Sequence, residues 1–230
     1  MNEAESNAET GQPEPLLNDT EARVLGALME KQLATPDAYP LTVNSLVLAC
    51  NQKTSRDPIT NLDAGEVQRC LSQLQDRKLV EVDYGSRANR YDQRLTRVLG
   101  LDNATQAILN VIMLRGPQTL AELFTRTQRM FDFSSLDNLQ EKLDQLCAKT
   151  HPVILRIPRQ PGQREDRYMH LLCGQPDVAA MTTAGSSTRK AASSELEERV
   201  EQLEAQVQQL QTLVERLLSV SGITLDELEE

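Results

Sequence analysis

The chain has 230 residues, a net charge of −10, 39% apolar and 3% aromatic residues, and no tryptophan. This scarcity of aromatics argues against a single-strand binder that stacks bases on aromatic platforms. The charge is uneven, with −4 on residues 1–18, 0 on 19–97, +1 on 98–175 and −7 on 176–230, so a basic face on the neutral body is not excluded. Residues 1–17, rich in Glu, Asn, Gly and Pro, read as a disordered acidic tail without the apolar segment of a signal peptide. No apolar run approaches about 18 residues, so no membrane span and a cytoplasmic chain are expected.

A first domain is predicted over 18–98. Asn18 to Thr20 can cap its first helix, with Glu21 in the first turn and Val24, Leu25, Leu28 and Leu33 as the apolar stripe. Pro36 and Pro40 bound the next connection, and Leu41 starts a short strand. Thr42 caps a second helix with Val43, Leu46, Val47 and Cys50 inward. Asp63, with Glu66 in capping-box position, opens a third helix buried through Val67, Cys70, Leu71 and Leu74. LVEVDY, the turn GSRAN and RYDQRL then read as a hairpin.

The plan repeats over 99–174. A helix from Ala104 to Arg115 is stopped by Gly116-Pro117, and Thr119 caps the next, with Leu120, Leu123 and Phe124. Ser134 or Ser135 starts a long helix carrying Leu136, Leu139, Leu143 and Leu146. VILRIP and DRYMHLL pair around the wing RQPGQRE, and RYDQRL of the first hairpin corresponds to RYMHLL of the second. Such self-similarity implies duplicated domains, each closing its own core. The expected fold class is mainly α with small β-hairpins (α+β): two tandem winged-helix (helix-turn-helix) domains plus a C-terminal coiled-coil helix.

Residues 175–194 read as a flexible linker, 195–218 as the coiled-coil helix and 219–230 as an acidic tail. Leu196, Val200, Leu203, Val207, Leu210, Val214 and Leu217 alternate spacings of four and three. Leucine at d and valine at a favour a two-stranded parallel coiled coil, hence a homodimer. Arg199 at g can meet Glu204 at e of the partner. The alternative is a surface helix folded back on the winged helices.

Cys50, Cys70, Cys147 and Cys173 form no C-x-x-C pair and, with His151 and His170, give no metal-ligand spacing. They read as reduced thiols among apolar neighbours. There is no Ser/His/Asp ordering, no glycine-rich phosphate loop after a strand and no carboxylate cluster in an apolar setting. His170, alternating with Tyr168 and Leu172 on a strand, reads as a structural hydrogen bonder. No enzyme activity, metal or cofactor is expected.

Several strings are distinctive: EARVLG, EKQ, TP-x-x-YPL, ACNQKT-x-R-x-P, RLTRV and PGQREDRYMHL. Over residues 18 to 173 the chain resembles the YceH family of uncharacterised bacterial proteins. The resemblance implies tandem winged-helix domains and carries no activity; the acidic N-terminal extension falls outside it.

Three features are candidate nucleic-acid contacts. The first is the segment Asn51 to Asp63, about eleven residues where a helix-turn-helix needs about three or four. It offers Lys53 and Arg56 for phosphates and Gln52 and Thr54 for hydrogen bonds. An ordered turn in which Asn51 caps a helix and Asn61 bonds backbone is the plainer reading. The second is the outer face of the third helix, with Gln68, Arg69, Gln73 and Arg77, although Glu66 and Asp76 oppose phosphates. Its counterpart in the second unit is net acidic. The third is the pair of wings, with Arg87 and Arg90 in one and Arg156, Arg159, Arg164 and Arg167 in the other, partly offset by Glu165 and Asp166.

The function these readings favour is a dimeric winged-helix nucleic-acid-binding protein, a transcription regulator, with DNA as ligand and itself as partner. The alternative is a non-enzymatic adaptor that binds a protein partner, as tandem winged helices do in chromosome-segregation complexes.

Overall fold

A computed structural model describes residues 16–86, 88–159 and 163–176, which fall within one compact unit. The heptad seam, the linker beyond Pro176, most of the acidic tail and Arg87 lie outside the described residues. The fold is mixed α+β, with seven α-helices and two small antiparallel hairpins among the described residues.

The first half runs α1 (Asp19–Ala34), a single 3-10 turn (Pro36–Ala38), α2 (Val43–Cys50) and α3 (Ala64–Asp76), then β1 (Val80–Asp83) and β2 (Arg90–Gln93). Each helix start is fixed by its side chains. Asn18 and Glu21 form a reciprocal capping box at α1, Thr42 caps α2, and Asp63 and Glu66 form a second box at α3. Val80 pairs with Gln93 and Val82 with Tyr91, and Leu41 bridges Tyr91 as a third edge. The short helix α4 (Leu95–Val98) leads to the second half: α5 (Asn103–Arg115), α6 (Leu120–Thr127), α7 (Leu136–Cys147), β3 (Ile154–Ile157) and β4 (Arg167–His170). Gln118 bridges Tyr168 as Leu41 bridges Tyr91.

The duplication extends to individual hydrogen bonds. Arg90 donates to the Pro40 carbonyl at 2.7 Å, and Arg167 to the Pro117 carbonyl at 2.9 Å. In both halves this proline lies two residues before the threonine that caps the second helix. The Tyr91 hydroxyl meets Gln68 of α3 at 3.1 Å, and the Tyr168 hydroxyl meets Gln140 of α7 at 3.0 Å. Each arginine-tyrosine pair therefore ties its hairpin to the mouth of α2 or α6 and to the long helix.

The two halves do not close separate cores. A single buried cluster runs from Leu17 through α1 and α5 to Leu172. Every residue from Glu21 to Met29 in α1 and from Thr105 to Leu114 in α5 is buried, as expected for helices covered on all sides. Gly26 of α1 faces Leu114 and Met113, whereas Gln32, further along α1, accepts from Gln106, earlier on α5. The helices are therefore antiparallel. Because they are counterparts in the repeat, an approximate two-fold axis relates the halves.

The Gly26 carbonyl accepts from Asn110 at 2.5 Å. Gln32 also accepts from Gln93 at 2.6 Å. These polar pairs inside an otherwise apolar seam penalise any register that would leave them unpaired.

Candidate functional site

The long segment between α2 and α3 is built inward. Arg56 is buried, donating from Nε and Nη2 to the Ala49 carbonyl at 3.0 and 2.8 Å. Its Nη2 also pairs with Glu30 at 2.6 Å, and its Nη1 reaches Glu30 and the Ser55 carbonyl. Burial alone would raise the Glu30 carboxyl, yet Arg56 and Lys31 hold it below the usual carboxylate range. Arg56 thus departs from the expected phosphate contact: the N–H donors of its guanidinium are already taken by Ala49, Glu30 and Ser55.

Neighbouring residues reinforce that anchor. Arg23, 5% exposed, donates to the Pro58 carbonyl at 2.6 Å. The Asp57 amide donates to the Leu114 carbonyl at 2.8 Å, and Arg115 donates to the Ser55 hydroxyl. Asn51 clamps the far end through the Leu62 carbonyl and amide at 2.8 and 2.9 Å. The segment is a brace between the halves, and its length serves that bridging. Gln52, Lys53 and Thr54 remain at its outer turn, Gln52 half-buried and the other two exposed.

The α3 face is divided. Gln68 is held by Tyr91, and Arg77 pairs with Glu21 at 2.9 Å while also donating to the Leu16 carbonyl. Arg77 therefore docks the end of α3 onto the capping box of α1. Arg69, Ser72 and Gln73 are exposed, and Arg69 makes no ion pair among the described residues. Glu66 is engaged in its capping box. An open cleft lies between the start of α1 and α3, lined by Asn18, Asp19, Thr20, Glu66, Arg69, Cys70 and Gln73. Arg69 and Gln73 thus share one rim, with Asp19 facing them.

The two hairpins are less cationic than their sequences suggest. Arg90 is tied to Pro40, and Arg94 is paired with Glu81 and Asp92. Arg156 pairs with Asp166 at 2.7 Å, whose other oxygen accepts from the Arg159 amide at 2.8 Å. The Arg159 and Arg164 side chains are exposed. On α7, Lys142 is drawn to Asp102 at 2.5 Å, which leaves Asp137, Glu141 and Asp144 to set the acidic sign of that helix.

The surviving outward set is therefore Lys53 and Thr54, Arg69 with Gln73, and Arg159 with Arg164. Arg23 and Glu30 were missed in the sequence. The available signal was their seven-residue spacing, which puts two opposite charges on one face of α1 at either end of the apolar run VLGALM. His170 also departs from expectation: it is buried with Nδ1 unpartnered, and burial pushes it down to about 4, with Asp19 opposing. All four cysteines are free thiols, Cys50 and Cys70 buried and pushed up to about 12 by that burial. No metal-competent cluster and no helix long and apolar enough to cross a membrane occur among the described residues.

Comparison with known proteins places the chain. Residues 17–163 match the family model described as "Protein of unknown function, DUF480". A UPF0502 protein of Cellvibrio japonicus (strain Ueda107) is 66% identical over 190 residues, covering 81% of this chain and 87% of the relative. A UPF0502 protein of Ectopseudomonas mendocina (strain ymp) is 49% identical over 193 residues, covering 82% and 88%. One from Mesorhizobium japonicum is 46% identical over 187 residues, covering 81% and 89%. These relatives carry the UPF0502 name rather than the YceH name under which the resemblance was drawn. The chain belongs to the DUF480 family, with UPF0502 proteins of bacteria as its relatives.

Proposed function

We propose that each half is a winged helix and that the protein is a non-enzymatic, dimeric nucleic-acid-binding protein of the transcription-regulator type. The first half reads duplex DNA through α3. The observation that carries this reading is the outward edge of α3, where Arg69, Ser72 and Gln73 stand exposed and Arg69 is free of ion pairs among the described residues. An arginine and an amide four residues apart on one helix face suit base edges and phosphates of a major groove. Lys53, exposed at the turn before α3, adds a phosphate contact. The second half supports the first, since acidic α7 is unsuited to a groove. Residues 195–218 join two copies by their heptad seam, and bivalency raises avidity.

The test is a salt titration of random duplex against the full chain, Lys53→Ala, Arg69→Ala and a chain ending at residue 175. Removing each cation is expected to weaken binding and lower the salt slope by about 1. Truncation is expected to lower affinity further and to turn the dimer into a monomer as seen by light scattering. Absence of binding by the full chain at low salt would refute the reading.

The exposure of Leu48 at 73% and Ile59 at 64% favours a second reading, an adaptor that docks a protein partner on the first half. A stoichiometric protein complex lost on Leu48→Asp, without DNA binding, would replace the first reading by this one.

A further inference from the structure

The joint between the halves concentrates like charge. Arg56 and Lys31 share the single carboxylate of Glu30, at 2.6 and 3.5 Å. Arg126 and Arg167 share that of Glu122, at 3.5 and 3.8 Å. Glu122 is also held by the amide of Thr119. Arg115, between these two groups, has no carboxylate of its own among the described residues, and its one hydrogen bond is to the Ser55 hydroxyl. Arg23, beneath the same brace, is likewise unpaired with any carboxylate, and its buried Nη1 has no partner.

Around this joint Arg23, Lys31, Arg56, Arg115, Arg126 and Arg167 outnumber the two carboxylates that pair with them, Glu30 and Glu122. Gln118 links the two arginines Arg115 and Arg126, donating to the Arg115 backbone carbonyl at 3.1 Å and accepting from Arg126 Nη1. Burial and then Arg126 lower the Arg115 pKa, and burial and then Arg56 lower that of Arg23. Neighbouring guanidinia repel one another, and an anion seated among them relieves that repulsion.

We propose that the joint is an anion site, with Arg115 as its seat and Arg126 and the Ser55 hydroxyl as flanking donors, taking a phosphate group. Arg115 is half-buried and Arg126 31% exposed at the side chain, so the seat is open to solvent. A guanidinium offers five N–H donors in a fixed fork suited to phosphate oxygens, and Arg115 uses one of them. The phosphate comes either from a free phosphorylated small molecule or from a nucleic-acid backbone laid across both halves. The site does not depend on the DNA reading of α3, because none of its residues lies on that helix.

The probe is inorganic phosphate, titrated by phosphorus NMR and calorimetry into the full chain at constant ionic strength. Saturable binding is expected, weakened at least about tenfold in Arg115→Gln and in Arg126→Gln, the loss of one hydrogen bond to a charged group. Arg69→Ala is expected to bind phosphate as the wild type does. Arg126→Gln, at a more exposed position, guards against a folding defect in Arg115→Gln.

Random duplex provides the second arm. Displacement of phosphate by duplex, with DNA affinity falling in Arg115→Gln, identifies the source as backbone; phosphate binding without displacement identifies a free phosphate compound. Phosphate binding without any DNA binding would keep this site and remove the α3 reading. No saturable phosphate binding by the wild type, or binding by both glutamine variants as tight as that of the wild type, overturns the site.

Discussion

Arg56 shows how one side chain can change meaning between sequence and structure. In the string NQKTSRDP it stands beside Lys53 as a loop cation, whereas in the fold it holds Glu30 and two carbonyls. Removing one partner of a buried ion pair leaves an uncompensated charge, costing about 3–5 kcal/mol. Arg56→Ala is therefore expected to lower the urea midpoint steeply while Lys53→Ala leaves it near wild type. Equal midpoints for the two variants would contradict the brace.

His170 gives the pH dependence its sign. Its folded value of about 4 lies below the ordinary 6.5, so the unfolded chain binds more protons between those limits. Stability supported by the neutral ring is present above about 6.5 and is lost as pH falls through that window, amounting to about 3 kcal/mol at most. Gln93 occupies the equivalent position on the first hairpin as a neutral, bonded amide. His170→Gln is expected to flatten the loss of stability between neutral and acid pH, as read from urea unfolding at both. An unchanged difference would place the acid sensitivity elsewhere.

At the scale of elements, the repeat was legible because its markers are local. Caps at Asn18, Thr42, Asp63, Thr119 and Ser135 and the two arginine-tyrosine pairs each act within their own half. The α1–α5 seam was not read, although it left a trace. AILNVIML is apolar on every side with one asparagine, the pattern of a helix covered all round rather than striped. Its partner face carries Gly26, where a Cβ would lie 2.9 Å from Leu114 Cδ2 and 3.1 Å from its Cγ.

The contact that glycine permits is close and backbone-deep. Gly26→Val is expected to destabilise by about 1–3 kcal/mol through overpacking, despite the better helix propensity of most residues over glycine. Gly26→Ala tests the same point more gently, because the Leu114 tip can yield. A valine variant as stable as the wild type in urea would mean that the two helices do not pack this closely.

Across the whole molecule, partnering explains why the basic sites thinned out. Sequence counting treats each arginine as available, but Arg77, Arg90 and Arg167 find acceptors in segments distant in the chain, and Arg94 and Arg156 find them across their own hairpins. Periodicity cannot reveal such pairs, because they form only once the halves and hairpins are placed. Beyond the joint at Arg115, what remains for a ligand is narrow: the outer edge of α3, the Lys53 turn and the tip arginines Arg159 and Arg164.

That narrowness makes the account testable by location. Full-length protein labelled with nitrogen-15 can be titrated with random duplex at low salt, and amide shifts followed residue by residue. The account predicts that perturbations centre on Lys53, Arg69 and Gln73 and leave the outer face of α7 unmoved. Shifts that spare α3 and gather around Leu48 and Ile59, or no shifts at all, would contradict it.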